Sequence, residues 1–377
     1  MNNTLTDAAP SGNEPAAARW LFRLLEQLRC GSITLRTPDG RHLEFAGARP
    51  GPHANLALAD WQVCSDILRK GDIGLAEAYI AGRANTDDLT QLLLLGALNE
   101  QAIEQAIHGR WWATLAYRLR HWLRPNTRAG SRRNIHAHYD IGNDFYRLWL
   151  DGTMTYSSAL FDGNLSLGLE QAQSAKYARI LRELGAKAGD HILEVGCGWG
   201  GFAEHAARAG CRITGITVSE AQLDYARARI AAAGLQDRVE LRLCDYRDLE
   251  GQFDHVVSIE MFEAVGERYW PGYFATLRDR LKPGGLAVVQ TITIAESKFE
   301  RYRGGTDFIQ QYIFPGGMLP SPERFRAEAA GQGLALAGMH AFGLDYAETL
   351  RRWHRTFDAA GAQVEAQGFD ERFMRTW

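Results

Sequence analysis

The sequence predicts an α/β protein in which a doubly wound, mostly parallel sheet with helices on both faces follows a small α+β domain. Three observations carry this. From about residue 175 five short β-rich runs, "HILEVGC", "CRITGITV", "VELRLCD", "FDHVVSIE" and "GLAVVQTITI", alternate with helical patterns such as "SEAQLDYARARIAAAG" and "RYWPGYFATLRDRLKPGG". This is the rhythm of strands joined by helical crossovers. The first run ends in a glycine-rich turn, "LEVGCGWGGF", which in such a sheet opens a helix at the carboxyl ends of the strands. Up to about residue 108 the pattern differs, with a hairpin and several helices but no such alternation.

In chain order, "MNNTLTDAAPSGNEPAAAR" is small and polar with no apolar run. Residues 1–15 are therefore expected as a disordered tail without a secretory signal. A helix follows around Trp20 to Leu28, then "SITLRTPDGRHLEF". There Ile33 and Leu35, and Leu43 and Phe45, alternate with polar residues about the turn Pro38-Asp39-Gly40, predicting a β-hairpin. Helical patterns in "DWQVCSDILRKG", "GLAEAYIAG" and "DDLTQLLLLGALNEQAIEQAI" complete a small domain over 16–108 that holds no cluster of titratable residues.

Residues 109–135 stand apart. "GRWWATLAYRLRHWLRPNTRAGSRRNIHAH" holds seven arginines, three tryptophans and no acid. Wound as a helix, it puts Trp112, Leu115, Leu119, Trp122 and Leu123 on one face and Arg110, Arg118, Arg120 and Arg124 opposite. Two readings are open, an interfacial helix against a membrane or a surface helix packing its apolar stripe on the core. Pro125 ends it, and "NTRAGSRR" reads as a linker to the sheet domain over 136–377.

With 377 residues, 46% hydrophobic and 23% charged, the composition is that of a globular protein. A net charge of -3 predicts no nucleic-acid or other polyanion partner. Cys30, Cys64, Cys197, Cys211 and Cys244 show no CxxC spacing and are odd in number, which suits a reducing cytosol. No metal site is expected, and no window approaches the roughly 18 to 20 apolar residues a membrane span needs.

Gly196, Gly198 and Gly201 satisfy GxGxxG, a pattern shared by nicotinamide-cofactor sites and plain tight turns. A nicotinamide site also wants an acid about 20 residues on, where "TGITVSE" has none at the strand end. Glu194 two residues before Gly196-x-Gly198-x-Gly200 resembles instead the binding loop of S-adenosylmethionine (SAM) methyltransferases. After the fourth strand, "SIEMFEAVG" sets Glu260 and Glu263 three residues apart, facing the crevice where open α/β sheets bind ligands.

"HYDIGNDFYRLWLDGTMTYSSALF", "LEVGCGWGG", "GITVSEAQ", "CDYRDL", "SIEMFEAVG", "QTITI", "DFIQQYIFPGGMLPS" and "FGLDYAETLRRW" resemble, in order and spacing, the cyclopropane fatty acid synthase family, which includes the mycolic acid methyltransferases. The likeness runs from about residue 20 to the end. It implies a class I SAM methyltransferase sheet with SAM as cofactor. Tyr139, Tyr156 and Ser157 would close over its methionine part, which Gly196 and Gly198 approach. Thr217 and Gln222 would serve the ribose, Asp245 and Tyr246 would sit beside adenine, and Ile259 would pack on it.

The resemblance further implies methyl transfer to the cis double bond of an unsaturated acyl chain of membrane phospholipid. A carbocation would then lose a proton to a bound bicarbonate ion, giving a cyclopropane or a methylene branch. Glu263 and Tyr346 would anchor the bicarbonate with the backbone amides of Ser158 and Ile292. A carboxylate holds bicarbonate through the latter's hydroxyl proton, so Glu263 would orient the base rather than be it. The implied partner is a bilayer surface, met peripherally from the cytoplasmic side of the inner membrane, and a homodimer is left open. An amine methyltransferase and a non-catalytic SAM- or lipid-binding homologue are the alternatives.

Ser158 stands for the usual cysteine, Gln290 for a histidine, and Ala264 for the histidine after the motif glutamate. Glu260 replaces a small residue, either to pair with a nearby arginine or backbone amide or as a second pocket carboxylate. Relatives run on past the segment resembling "ERFMRTW", so the terminus at Trp377 is expected to be shortened.

Overall fold

A computed structural model describes residues 14–107 and 141–377. The expected N-terminal tail up to residue 13, the basic tryptophan segment up to its linker, and Tyr139 lie outside the described residues. The described chain divides into two compact units.

The smaller unit contains α1 (Ala16–Leu25), β1 (Cys30–Arg36), β2 (His42–Ala46), β3 (Arg49–Leu58), α2 (Gln62–Lys70), α3 (Asp72–Ile80), β4 (Ala84–Asn85), α4 (Leu89–Leu98) and α5 (Glu100–Ile107). Its strands run in the order β2-β1-β3-β4. The hairpin takes the register its alternation requires: Ile33 faces Phe45 and Leu35 faces Leu43, and all four are buried. β3 was not among the expected strands. Pro50 and Pro52 disguise its start, yet Ala54, Leu56 and Leu58 alternate inward and the strand pairs parallel with β1.

Two segments expected within the sheet domain, Gly305–Tyr312 and Asp370–Trp377, cluster with this smaller unit. The Tyr312 hydroxyl donates to Glu77 at 2.6 Å. Arg375 donates to the Tyr79 carbonyl and to Asn85 Oδ1 while its guanidinium lies over the Tyr79 ring.

The larger unit is built on α6 (Asn143–Arg147), α7 (Leu169–Leu184), β5 (His191–Val195), α8 (Gly201–Arg208), β6 (Arg212–Thr217), α9 (Glu220–Ala232), β7 (Val239–Leu243), β8 (Phe253–Ile259), α10 (Trp270–Arg280), β9 (Leu281–Gln290), α11 (Glu296–Gly304), α12 (Pro322–Gly331) and α13 (Gly343–Ala359). The five expected strands all form, in the order β7-β6-β5-β8-β9, and every pairing is parallel. β5 is buried along nearly its whole length, as a parallel strand covered on both faces must be. On one face α7, α8 and α9 contribute Tyr177, Ile180, Phe202, Ala206, Leu223 and Ala226 to the core. On the other, α10 lays Trp270, Tyr273, Phe274 and Leu277 against Phe253 and Val256, an i, i+3, i+4, i+7 stripe.

After β5 the chain moves outward through β6 and β7, then returns to the other side of β5 with β8. The carboxyl ends of β5 and β8 therefore flank the switch point at which such sheets bind ligands. Phe262, just past β8, anchors this edge: its ring lies 5.1 to 5.4 Å from those of Trp270, Tyr273, Phe274 and Phe325, and it is fully buried. Phe262→Ala should lower the unfolding free energy of this unit by about 3–5 kcal/mol, measured by urea denaturation. A loss below about 1 kcal/mol would mean that the site edge does not depend on this packing.

Candidate functional site

The parallel sheet puts the carboxyl ends of β5, β6, β7 and β8 on one edge, and the described sequence-predicted residues gather there or on the chain folded over it. Gly196 and Gly198 follow β5 with φ of +84° and +50°, a region glycine enters without strain. A Cβ at Gly196 would come within 3.0 Å of Met261, whereas nothing lies within 4 Å of one at Gly198. The backbone is thus open to a ligand beside Gly198. At the end of β6 the Thr217 hydroxyl donates to Gln222 Oε1 at 3.0 Å, and both residues are buried. Asp245, beyond β7, accepts from the backbone and guanidinium of Arg247, and the Tyr246 ring packs edge-on against Tyr273. Ile259 ends β8 opposite Gln290.

Over this edge lies the segment before α7. The Tyr156 ring sits 5.4 Å from both Trp149 and Trp353, and Tyr146 lies 5.0 Å from Trp199, forming an aromatic wall. Ser157 Oγ accepts a 2.6 Å hydrogen bond from Lys176 Nζ. Gln173 donates to the Ser157 carbonyl at 2.9 Å. Gln173 and Lys176 share the inward stripe of α7 with Ala172, Tyr177 and Ile180. Two polar residues at core positions were a signal in the sequence, and neither was singled out.

The helix α13 fixes the rest. Asp345 accepts from the amides of Phe161 and Asp162 at 2.8 and 3.0 Å, and Thr349 accepts from the amide of Ala159 at 3.0 Å. These residues, four apart on one helical face, clamp the chain after Ser158. The clamp aims both the Ser158 amide and the Tyr346 hydroxyl at one carboxylate.

That carboxylate is Glu260. Its Oε1 accepts from the Ser158 amide at 2.9 Å and from Gln290 Nε2 at 2.8 Å, and its Oε2 accepts from Tyr346 at 3.1 Å. The resemblance gave the Ser158 amide and Tyr346, with Glu263, to a bicarbonate ion; here both donate to Glu260, and the Ile292 amide donates to Glu263 Oε1. The physical reason is backbone direction. Glu260 has φ of +48°, which turns its side chain toward the donors, while Glu263 lies a further turn along in the 3₁₀ segment Phe262–Ala264.

The electrostatics separate the two carboxyls. Burial holds Glu260 above the ordinary carboxylate value, with the Lys176 charge and the three donors opposing part of that rise. Burial and then the Glu260 charge push Glu263 up to about 8, and its Oε2 is buried with no hydrogen-bond partner. Near neutral pH the Glu263 carboxyl therefore keeps its proton. Burial brings Lys176 down to about 7, against the pull of Glu260, Asp151 and Glu194. Glu194 is raised well above the carboxylate range by burial, with Lys176 opposing.

This donor set does not fit a bicarbonate ion. Its Ser158, Gln290 and Tyr346 donors already serve Glu260. A second anion about 4 Å from that carboxylate would be opposed by roughly 4 kcal/mol at an effective dielectric of 20.

The profile of the mycolic acid cyclopropane synthetase family matches residues 126–377. A tuberculostearic acid methyltransferase of Mycobacterium tuberculosis is 41% identical over 82% of this chain and 74% of its own length. The cyclopropane-fatty-acyl-phospholipid synthase of Escherichia coli is 34% identical over 82% of this chain and 78% of its own. Among solved structures, the cyclopropane synthase MmaA2 from Mycobacterium tuberculosis superposes with a TM-score of 0.61 at 30% identity, over 65% of this chain and 89% of that one. A mycolic acid cyclopropane synthase complexed with S-adenosylhomocysteine (SAH) superposes with a TM-score of 0.60 at 30% identity, over the same shares.

The raised Glu263 carboxyl has a consequence for stability. Because its folded pKa of about 8 lies above the ordinary 4.5, its contribution is complete below pH 4.5 and is lost as pH rises to 8. Urea denaturation should therefore show the wild type losing stability relative to Glu263→Gln across that window. A difference that stays flat, or moves the other way, would show that Glu263 ionises freely.

Proposed function

Because the chain belongs to the mycolic acid cyclopropane synthetase family, we propose that it methylates the cis double bond of unsaturated acyl chains in membrane phospholipid, yielding a cyclopropane or a methylene branch. As a member of that family it is a SAM-dependent methyltransferase acting on lipids. The observation that carries the finer reading is a buried carboxylate, held by three hydrogen bonds, beside an aromatic wall. An alkene is a weak nucleophile and its methylation leaves a cation, so the reaction needs a dry pocket and a base that cannot drift away. An amine substrate, which carries its own lone pair, needs neither.

When bound, SAM supplies an electrophilic methyl group. Gly196 and Gly198 let the backbone approach its methionine part, with Tyr156, Ser157 and Tyr139 closing over it. Thr217 and Gln222 take the ribose hydroxyls, and Asp245, Tyr246 and Ile259 border the adenine. Tyr156, Trp149 and Trp353 exclude water, and their π-faces favour a nearby cation. Tyr346, Gln290 and Ser158 hold the Glu260 carboxylate, while Ile292 holds Glu263.

The lipid is met at a bilayer surface, peripherally and from the cytoplasmic side. Support comes from the arginine and tryptophan segment 109–135 and from Leu93, Leu94 and Leu98, which α4 leaves 60%, 44% and 50% exposed. Among the described residues no helix is long and apolar enough to cross a membrane.

Incubation with methyl-labelled SAM, followed by mass spectrometry, tests the reading. Vesicles of unsaturated phospholipid should gain one CH₂ per modified chain and saturated vesicles none; label appearing only in added amines would overturn it. In the same assay Gln222→Ala should raise the SAM dissociation constant by about 10-fold, the worth of one or two hydrogen bonds, with lipid preference unchanged. An unaltered constant would remove Gln222 from the cofactor site.

A further inference from the structure

We propose that the carboxylate of Glu260 is itself the base of this reaction, built into the chain at the place where a separate anion would otherwise have to be bound. The proposal rests on the acyl-methylation reading above.

The backbone gives the first argument. Glu260 has φ of +48°, a left-handed conformation it shares, among described non-glycine residues, with Met154 and Asp162. Such a conformation disfavours any residue with a Cβ, and it persists where the surrounding structure over-determines it, commonly at functional sites. A glycine would fit without strain. The chain instead carries a carboxylate there, at the carboxyl end of β8 beside the switch point.

The second argument is the donor set. Ser158, Gln290 and Tyr346 converge on Glu260 from three separate parts of the chain. As neutral donors they fix its orientation without taking its place as base. The titratable groups around it fit the same assignment. The Lys176 charge from α7 opposes the rise that burial imposes on Glu260. Glu263 beyond β8 is protonated near neutral pH, and Glu194 at the end of β5 is raised well above its ordinary value by burial. Tyr346 from α13 stays protonated because burial raises it well above its ordinary range. Glu260 is the carboxylate of this cluster on which three separate donors converge.

The step balances simply. Once the methyl carbon has bonded to one alkene carbon, the neighbouring carbon carries the positive charge. Glu260 takes a proton from the new methyl or from an adjacent carbon. The electron pair of the broken C–H bond closes the ring or forms a double bond, and the acyl chain leaves neutral. Glu260, now a carboxylic acid, returns its proton to solvent before the next turnover.

Two substitutions test this in buffer purged of carbon dioxide. Glu260→Gln keeps the shape and an acceptor for Ser158 but cannot take a proton; its turnover should fall by about 10²-fold or more without recovery on adding formate. Glu260→Gly suits the backbone and leaves the three donors open; it should fall similarly and regain about 10-fold or more on adding formate or bicarbonate. Both should bind SAM within about threefold of wild type, whose own rate should not respond to bicarbonate. A wild type stimulated by bicarbonate, or a glycine variant active unaided, would overturn the proposal. Equilibrium binding of labelled bicarbonate gives a readout independent of activity: none to wild type and binding to Glu260→Gly support the proposal, and binding to wild type overturns it. A wild type inactive on every unsaturated lipid would instead fail the acyl-methylation reading, and the binding result would still decide how the donor set is filled.

Discussion

A single buried carboxylate organises the catalytic edge of this protein. Glu260, after β8, is buried where a charge without partners would be strongly disfavoured, and the Lys176 charge on α7 opposes that effect. Lys176 also donates to Ser157, and Glu260 accepts from Ser158, Gln290 and Tyr346. These hydrogen bonds tie the sheet, the segment folded over it and α13 into one constellation. Were Glu260 lost, the three donors would lose their common acceptor.

The same arrangement explains why α13 carries Asp345 and Thr349 on its inward face. Their hydrogen bonds to the amides of Ala159, Phe161 and Asp162 satisfy backbone groups that the buried segment could not otherwise pair. By fixing that segment they also fix the Ser158 amide. Stability of the covering segment and geometry of the site are thus one set of interactions.

Much of this was legible in the sequence. The five strands announced themselves through apolar runs between helical crossovers, and the glycine turn through its spacing. Ser158, Gln290, Ile292 and Tyr346 could be gathered only through motif resemblance, because they lie far apart in the chain and share no local pattern. Which of Glu260 and Glu263 meets the Ser158 amide was not legible, since it depends on a left-handed backbone at Glu260 that propensity disfavours. Lys176 was readable in principle, as a charge on the inward stripe of α7. β3 was hidden by its prolines, and the return of Asp370–Trp377 to the smaller unit depends on tertiary contacts such as that of Arg375 with Tyr79, which no periodicity encodes.

The central claim is that the chain's own carboxylate fills the place of an anion. A crystal structure determined with SAH from bicarbonate-containing solution tests it most directly. The account predicts the Glu260 carboxylate within hydrogen-bond distance of the Ser158 amide, Gln290 and Tyr346, with no further anion among them. A planar three-oxygen ion bound to those donors, with Glu260 turned away, would contradict it.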